Sequence, residues 1–135
     1  MTPAPGSLEA ANDAFYAAFE SLDLDRMDVL WDHGEDVFCV HPGSELIAGW
    51  GPVRRSWAAI FSATDYLQFI VTDVRARVET GVLSCVENIL TPGPDEGGRG
   101  FGAGRAVATN VFSWREGHWR MTAHHASPIL RPAAS

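Results

Sequence analysis

A chain of 135 residues, 46% hydrophobic and 20% charged, has the composition of one globular domain long enough to bury its own core. Its formal net charge of −7 opposes phosphate backbones and anionic lipid, so neither nucleic acid nor a membrane is an expected partner. The opening MTPAPGSLEA lacks the basic start and apolar run of a leader, and no segment approaches the roughly twenty apolar residues of a membrane span; a cytoplasmic location is expected.

Residues 1–7 and 131–135 read as flexible tails around a domain of residues 8–130. Ser7 suits the N-cap of a first helix whose apolar face carries Leu8, Ala11, Phe15, Ala18, Phe19 and Leu22. Asp23 caps a short second helix, with Met27, Leu30 and Trp31 turned inward and Asp25 and Arg26 toward solvent. A strand over 36–41 then runs into a break at His41-Pro42-Gly43. Gly49 to Gly51 interrupts the chain again. Pro52 falls in the first turn of a third helix, striped by Val53, Trp57, Ile60 and Phe61.

From Tyr66 onward the pattern turns to β, with strands predicted near 67–79, 82–91, 104–115 and 118–126. Glu79-Thr80-Gly81 and Glu116-Gly117-His118 read as tight hairpin turns, and 91–102 as a loop. The glycine-rich run 97–104 lacks the GK[ST] ending of a phosphate loop and leads into no helix, so it reads as a hairpin loop. Cys39 and Cys85 sit in apolar strands and read as packed thiols. Helices first and a long meander after them predict an α+β fold: a strongly curved antiparallel or mixed sheet, rolled toward a conical barrel, with three N-terminal helices enclosing a pocket.

Helix–helix–strand, the HPG break, the GWGPVRRSWAAIF helix and strands ending in WRMTAHHASP together resemble the nuclear transport factor 2-like superfamily. Within it the chain is most similar to SnoaL-like and ketosteroid-isomerase-like proteins. The resemblance implies the cone fold, a homodimer packed through the sheet, and a small apolar organic molecule as ligand. It implies isomerase, cyclase or hydratase chemistry without a cofactor, or a non-catalytic binding or association module. Ungapped matching puts the isomerase base on His41 and its oxyanion-binding aspartic acid on Asn110. The oxyanion-binding tyrosine falls on Phe15, with Tyr16 adjacent but on another helical face.

His41 is the leading candidate for a general base or acid, because imidazole titrates near neutrality; its alternative role is to satisfy loop carbonyls beside Pro42. Asn110 shares a strand face with Ala108 and Phe112, where its amide would polarise a developing oxyanion or satisfy a buried neighbour. Glu87 shares a face with Leu83, Cys85 and Ile89. It reads either as a carboxyl of raised pKa or as the cross-strand partner of Arg105. By strand parity His125 goes with Trp119, Met121 and Ala123 toward the core, and His124 goes outward. Phe15, Trp31, Trp50, Trp57, Phe61 and His125 are expected to line the ligand site, whereas Trp114 and Trp119 belong to the sheet core or interface. No His, Cys or carboxylate spacing indicates a metal.

Overall fold

The computed structural model describes residues 3–91 and 104–130. The chain runs α1 (Leu8–Ser21), α2 (Leu24–Asp28), β1 (Phe38–Val40), β2 (Ile47–Ala48), α3 (Trp50–Ala63), β3 (Gln68–Arg77), β4 (Val82–Leu90), β5 (Gly104–Arg115) and β6 (His118–Pro128). The caps are those the sequence indicates. Ser7 Oγ accepts the Ala10 amide at 3.1 Å, and Asp23 Oδ1 accepts that of Asp25 at 3.0 Å. Gly49, at φ +88°, opens α3, and Pro52 falls within its first turn.

Six strands form one sheet in the order β2-β1-β6-β5-β4-β3. All neighbours are antiparallel except β1 and β6, where Phe38, Cys39 and Val40 pair in parallel with Ala123, His124 and His125. The sheet curves without closing, its edges being β2 and β3. The expected cone is therefore an open half-barrel. The two-residue strand β2 escapes the sequence reading because it is too short to show a period. The β5–β6 turn places Glu116 at φ +53° and Gly117 at φ +84°, the paired positive angles of a tight two-residue hairpin.

One face of the sheet presents Leu83, Cys85, Glu87 and Ile89 from β4, and Ala106, Ala108, Asn110 and Phe112 from β5, all buried. The aromatic side chains of α1 and α3 pack over it. Phe15, Phe19, Trp57 and Phe61 meet mostly edge to face or tilted, with centroids 4.8–6.1 Å apart. Leu22, at φ +56°, ends α1 by donating its amide to Phe19 O.

Strand parity fails in β6. Asn110 pairs with His124 and Val111 with Ala123, but Phe112 pairs with Met121, so one extra residue, Thr122, bulges out of the ladder. Beyond the bulge the side chains exchange faces. His124 is therefore 1% exposed beneath α1, and His125 lies on the outer face. The expectation of His125 inside and His124 outside is reversed. The tails and the 91–102 loop, including most of the glycine-rich run 97–104, lie wholly or partly outside the described residues.

Candidate functional site

A chain of polar side chains crosses the floor of the cone. Tyr16, on the buried face of α1, donates its hydroxyl to Glu87 Oε2 at 2.5 Å and lies 3.5 Å from Cys85 Sγ. Asn110 donates from Nδ2 to Asn12 Oδ1 at 2.8 Å and to the Tyr16 hydroxyl oxygen at 3.3 Å. With both amide hydrogens so engaged, Asn110 Oδ1 is an acceptor, and it takes the Nδ1 hydrogen of His124 at 2.6 Å. Asn12, Glu87, Asn110 and His124 are each at most 2% exposed. This is a set of buried polar groups that satisfy one another.

Burial decides their charge. It pushes Glu87 up to about 7, with the Tyr16 hydrogen bond pulling the other way, so the carboxyl is partly protonated at neutral pH. Burial, aided by neighbouring His41 and His125, pushes His124 down to about 3 and keeps it neutral. Its Nδ1 carries the hydrogen, so Nε2 holds the free lone pair. Tyr16 is raised well above its ordinary value, chiefly by burial and next by Glu87. Glu87 does not pair with Arg105, which stands opposite Asn88 in the β4–β5 register.

His41 follows β1 directly. The parallel pairing of β1 with β6 and the turn closed by Ser44 N donating to His41 O at 2.9 Å set it beneath α3. Its Nε2 is 2.9 Å from Ser56 Oγ. Ser56 commits its hydroxyl hydrogen to Val53 O at 2.6 Å, so its oxygen accepts Nε2–H and His41 Nδ1 carries the lone pair, with Cys39 Sγ 3.9 Å away. Burial pushes His41 down to about 4, which makes it a neutral imidazole at pH 7. The ring forms part of a groove of about 430 Å³, whose other walls include Ser44, Ile47, Ser56, Ala59, Ile60 and Ala63. It also packs edge-on against Trp57 at 4.8 Å, with the His124 ring 6.3 Å away. His41 thus stands between the open groove and the sealed polar chain.

The remaining expected residues divide. Phe15, Trp31 and Trp57 are fully buried and Phe61 nearly so; they fill the cone, and the groove walls are aliphatic and hydroxylic. Trp50 is half-buried outside the groove, its ring stacked on His33 at 4.7 Å and 6° and lying 5.7 Å from that of Trp31. His125 lines a separate hollow of about 370 Å³ on the outer sheet face, with Phe38, Val107 and Val111 among its neighbours. Trp114 is exposed and packs edge-on against Trp119. Cys39 and Cys85 are free and buried. Among the described residues no three His, Cys, Asp or Glu side chains converge as metal ligands, and no helix is long and apolar enough to cross a membrane.

Asn12, Tyr16, Ser56 and His124 were not among the sequence candidates. For the first two a signal exists: Leu8, Asn12, Phe15, Tyr16 and Phe19 form one stripe at helical spacing, and Asn12 and Tyr16 are four residues apart. The matched tyrosine position holds Phe15, but the neighbouring Tyr16 is itself buried, 4% exposed, and delivers a hydroxyl to Asn110 and Glu87. Its assignment to another helical face is corrected: the aromatic hydroxyl is displaced by one residue and not lost.

Comparison with known proteins agrees with this architecture. A SnoaL-like domain model matches residues 8–131. A candidate dehydratase of the NTF2-like family from Streptomyces avermitilis is 39% identical, with 93% of this chain and 95% of that chain covered and a TM-score of 0.80. A candidate calcium/calmodulin-dependent protein kinase type II association domain from Thiobacillus denitrificans is 32% identical, covering 96% and 100%, with a TM-score of 0.73. An F-box protein of Arabidopsis thaliana, SKIP8, is 28% identical over 121 residues, 90% of this chain and 49% of that protein; the chain thus spans about half the length of this curated relative. With its mixed sheet, its helices over one face and a family match across nearly all its length, the chain belongs to the SnoaL-like domain family of the NTF2-like superfamily.

Proposed function

We propose that this domain binds a small, largely apolar organic molecule in the groove beside α3. It acts on that molecule by cofactor-free proton transfer of the isomerase, cyclase or hydratase–dehydratase type. One observation carries the reading: His41, neutral at pH 7, is the titratable side chain of an otherwise aliphatic and hydroxylic groove, held at Nε2 by Ser56. The 39% identity to a candidate dehydratase supports the same chemistry. Nδ1 carries the lone pair that takes a proton, beside the Cys39 thiol at 3.9 Å. Because burial disfavours the imidazolium, this is a weak base, suited to a C–H acidified by an adjacent carbonyl. In a dehydration His41 takes that proton, the carbon–oxygen bond to the β-hydroxyl breaks, and the imidazolium returns the proton to the departing oxygen, which leaves as water.

Asn110 and Glu87 support this site from within the polar chain, since the Asn110 amide hydrogens are already taken by Asn12 and Tyr16. The test is dehydration of 3-hydroxycyclohexanone, followed by the ultraviolet absorbance of the enone. The wild-type protein is expected to exceed buffer, and His41→Ala to lose on the order of 10²–10⁴ of that rate. A wild-type rate equal to buffer, or a His41→Ala rate equal to wild type, overturns the proposal.

A second reading, association between copies of this cytoplasmic chain through the sheet, draws on the apolar outer face. Phe38 and Val107 are 38% and 41% exposed there and flank the hollow that His125 lines. Similarity to a candidate association domain favours it as well. Sedimentation at micromolar concentration is expected to give a dimer for the wild type and a monomer for Val107→Glu. A monomeric wild type removes this reading.

A further inference from the structure

The groove beside α3 is long and has a direction. Ser56, Ala59, Ile60, Ala63 and Thr64 line it, and their spacing puts them on one side of the helix. Val53, Trp57 and Phe61 take the other side and are buried in the cone. From Ser56 to the C-cap at Thr64 the groove follows the helix for about 12 Å, at about 1.5 Å per residue. Its titratable group stands at the Ser56 end, where His41 meets Ser56 Oγ at 2.9 Å and Ser44 closes the turn onto His41 O. Beyond that end the walls are apolar: Ile47 of β2 and Ile60, both half-buried, with Ala59 and Ala63 exposed one helical turn apart. At the far end Thr64 commits its hydroxyl hydrogen to Ile60 O at 2.7 Å. The volume of about 430 Å³ lies in the range of small-molecule sites.

We infer that the substrate is a straight-chain aliphatic carbonyl compound, lying along α3 with its carbonyl end at His41 and its tail over Ala59 and Ala63, and that these two alanines set the chain length accepted. The inference rests on the proposed ligand groove and names the substrate class of that same site. Carbon–carbon bonds of about 1.5 Å, zigzagging, advance roughly 1.25 Å each, so 12 Å of groove accepts a chain of about eight to ten carbons. A compact ring covers the His41 end and leaves the trough beyond it in water, whereas an extended chain buries each further methylene against Ile47 and Ile60. A methyl group at positions 59 and 63 keeps the trough open, and a larger side chain at either fills it. The tail then contributes binding energy remote from the reacting carbon, which holds that carbon at the imidazole.

The test uses the full chain, labelled with ¹⁵N at its histidine rings and titrated with 2-butanone, 2-octanone and cyclooctanone, the last folding the carbons of 2-octanone into a compact ring. Binding is read from the ring resonances of His41. The octanone is expected to bind about 15- to 80-fold more tightly than the butanone, from four further methylenes at about two- to threefold each in a groove open on one side. Cyclooctanone is expected to bind at least about fivefold more weakly than 2-octanone. Ala59 is exposed, so Ala59→Phe leaves the core untouched. In that variant 2-octanone is expected to fall to within about threefold of 2-butanone, whose own affinity stays at the wild-type value. The wild-type comparison of chain with ring stands by itself should the variant fold poorly. Cyclooctanone binding as tightly as 2-octanone, or Ala59→Phe binding 2-octanone as the wild type does, would overturn the inference and leave the groove reading intact. None of the three ketones perturbing His41 would overturn the groove reading and this inference together.

Discussion

The polar chain from Glu87 to His124 and the groove at His41 lie within one ring of each other, yet they solve opposite problems. In the chain, Asn110 joins Asn12, Tyr16 and His124, and every group finds its partner inside the protein. In the groove, His41 is held at Nε2 by Ser56, has the Cys39 thiol 3.9 Å from Nδ1, and shares aliphatic walls open to a ligand. Both imidazoles are neutral because both are buried, but only His41 borders space that another molecule can occupy. Desolvation alone therefore does not mark a reactive group; desolvation combined with a place on a cavity wall does.

If the interior chain is structural support, breaking it should affect stability most. Asn110→Ala leaves Asn12 Oδ1 and His124 Nδ1–H without their partner, while Tyr16 keeps Glu87, and the loss in urea unfolding is expected to be about 2–6 kcal/mol, from two orphaned buried groups at roughly 1–3 kcal/mol each. A loss below about 1 kcal/mol would mean that water replaces the amide and that the chain is not sealed.

Glu87 gives the next largest effect, and it is one of pH. Its pKa is raised from 4.5 to about 7 in the folded state, so the native protein holds a proton that the unfolded chain gives up. Its contribution is fully present below about pH 4.5 and is lost as pH rises through about 7. Glu87→Gln keeps an acceptor for Tyr16 without the charge. Its stability relative to wild type is expected to improve across that window, by up to about 3 kcal/mol at pH 8. A difference that stays constant from pH 4 to 8 would show that Glu87 titrates normally. His41 and His124, with lowered pKa values, act in the opposite sense: their contribution is present above about pH 6.5 and lost on acidification toward pH 4 and 3. Both are retained in the Gln variant, so they cancel from the comparison.

His41→Ala should have the smallest effect on stability, about 1–2 kcal/mol for one hydrogen bond and its edge contact with Trp57, while its effect on turnover is the largest. A variant that instead unfolds would make His41 part of the sealed interior, and the contrast between the two regions would fail.

Much of the architecture was legible in the chain. The stripes of α1 and α3, the caps at Ser7 and Asp23, the break at His41-Pro42-Gly43 and the four long strands follow from local period and turn chemistry, which act over a few residues. The alternation that groups Glu87 with Leu83, Cys85 and Ile89 was also readable, because β4 runs without interruption, but which face of the sheet they take was not. The site was legible in part. His41 could be singled out by its place after a strand, but its partner Ser56 lies fifteen residues away across α3, a contact that no local pattern encodes.

What the sequence by itself determined was the α+β order of elements, the identity of the apolar faces and the residues able to carry charge, since these depend on side-chain chemistry and short-range periodicity. What only the tertiary structure decided was which polar groups meet. The bulge at Thr122 exchanged His124 with His125, and the rotation of α1 put the Tyr16 hydroxyl where the matched position held Phe15. The filling of the cone by Phe15, Trp31 and Trp57 then moved the accessible space to the flank of α3. Each of these turns on a register or a rotation of one residue, a choice made by packing between segments far apart in the chain.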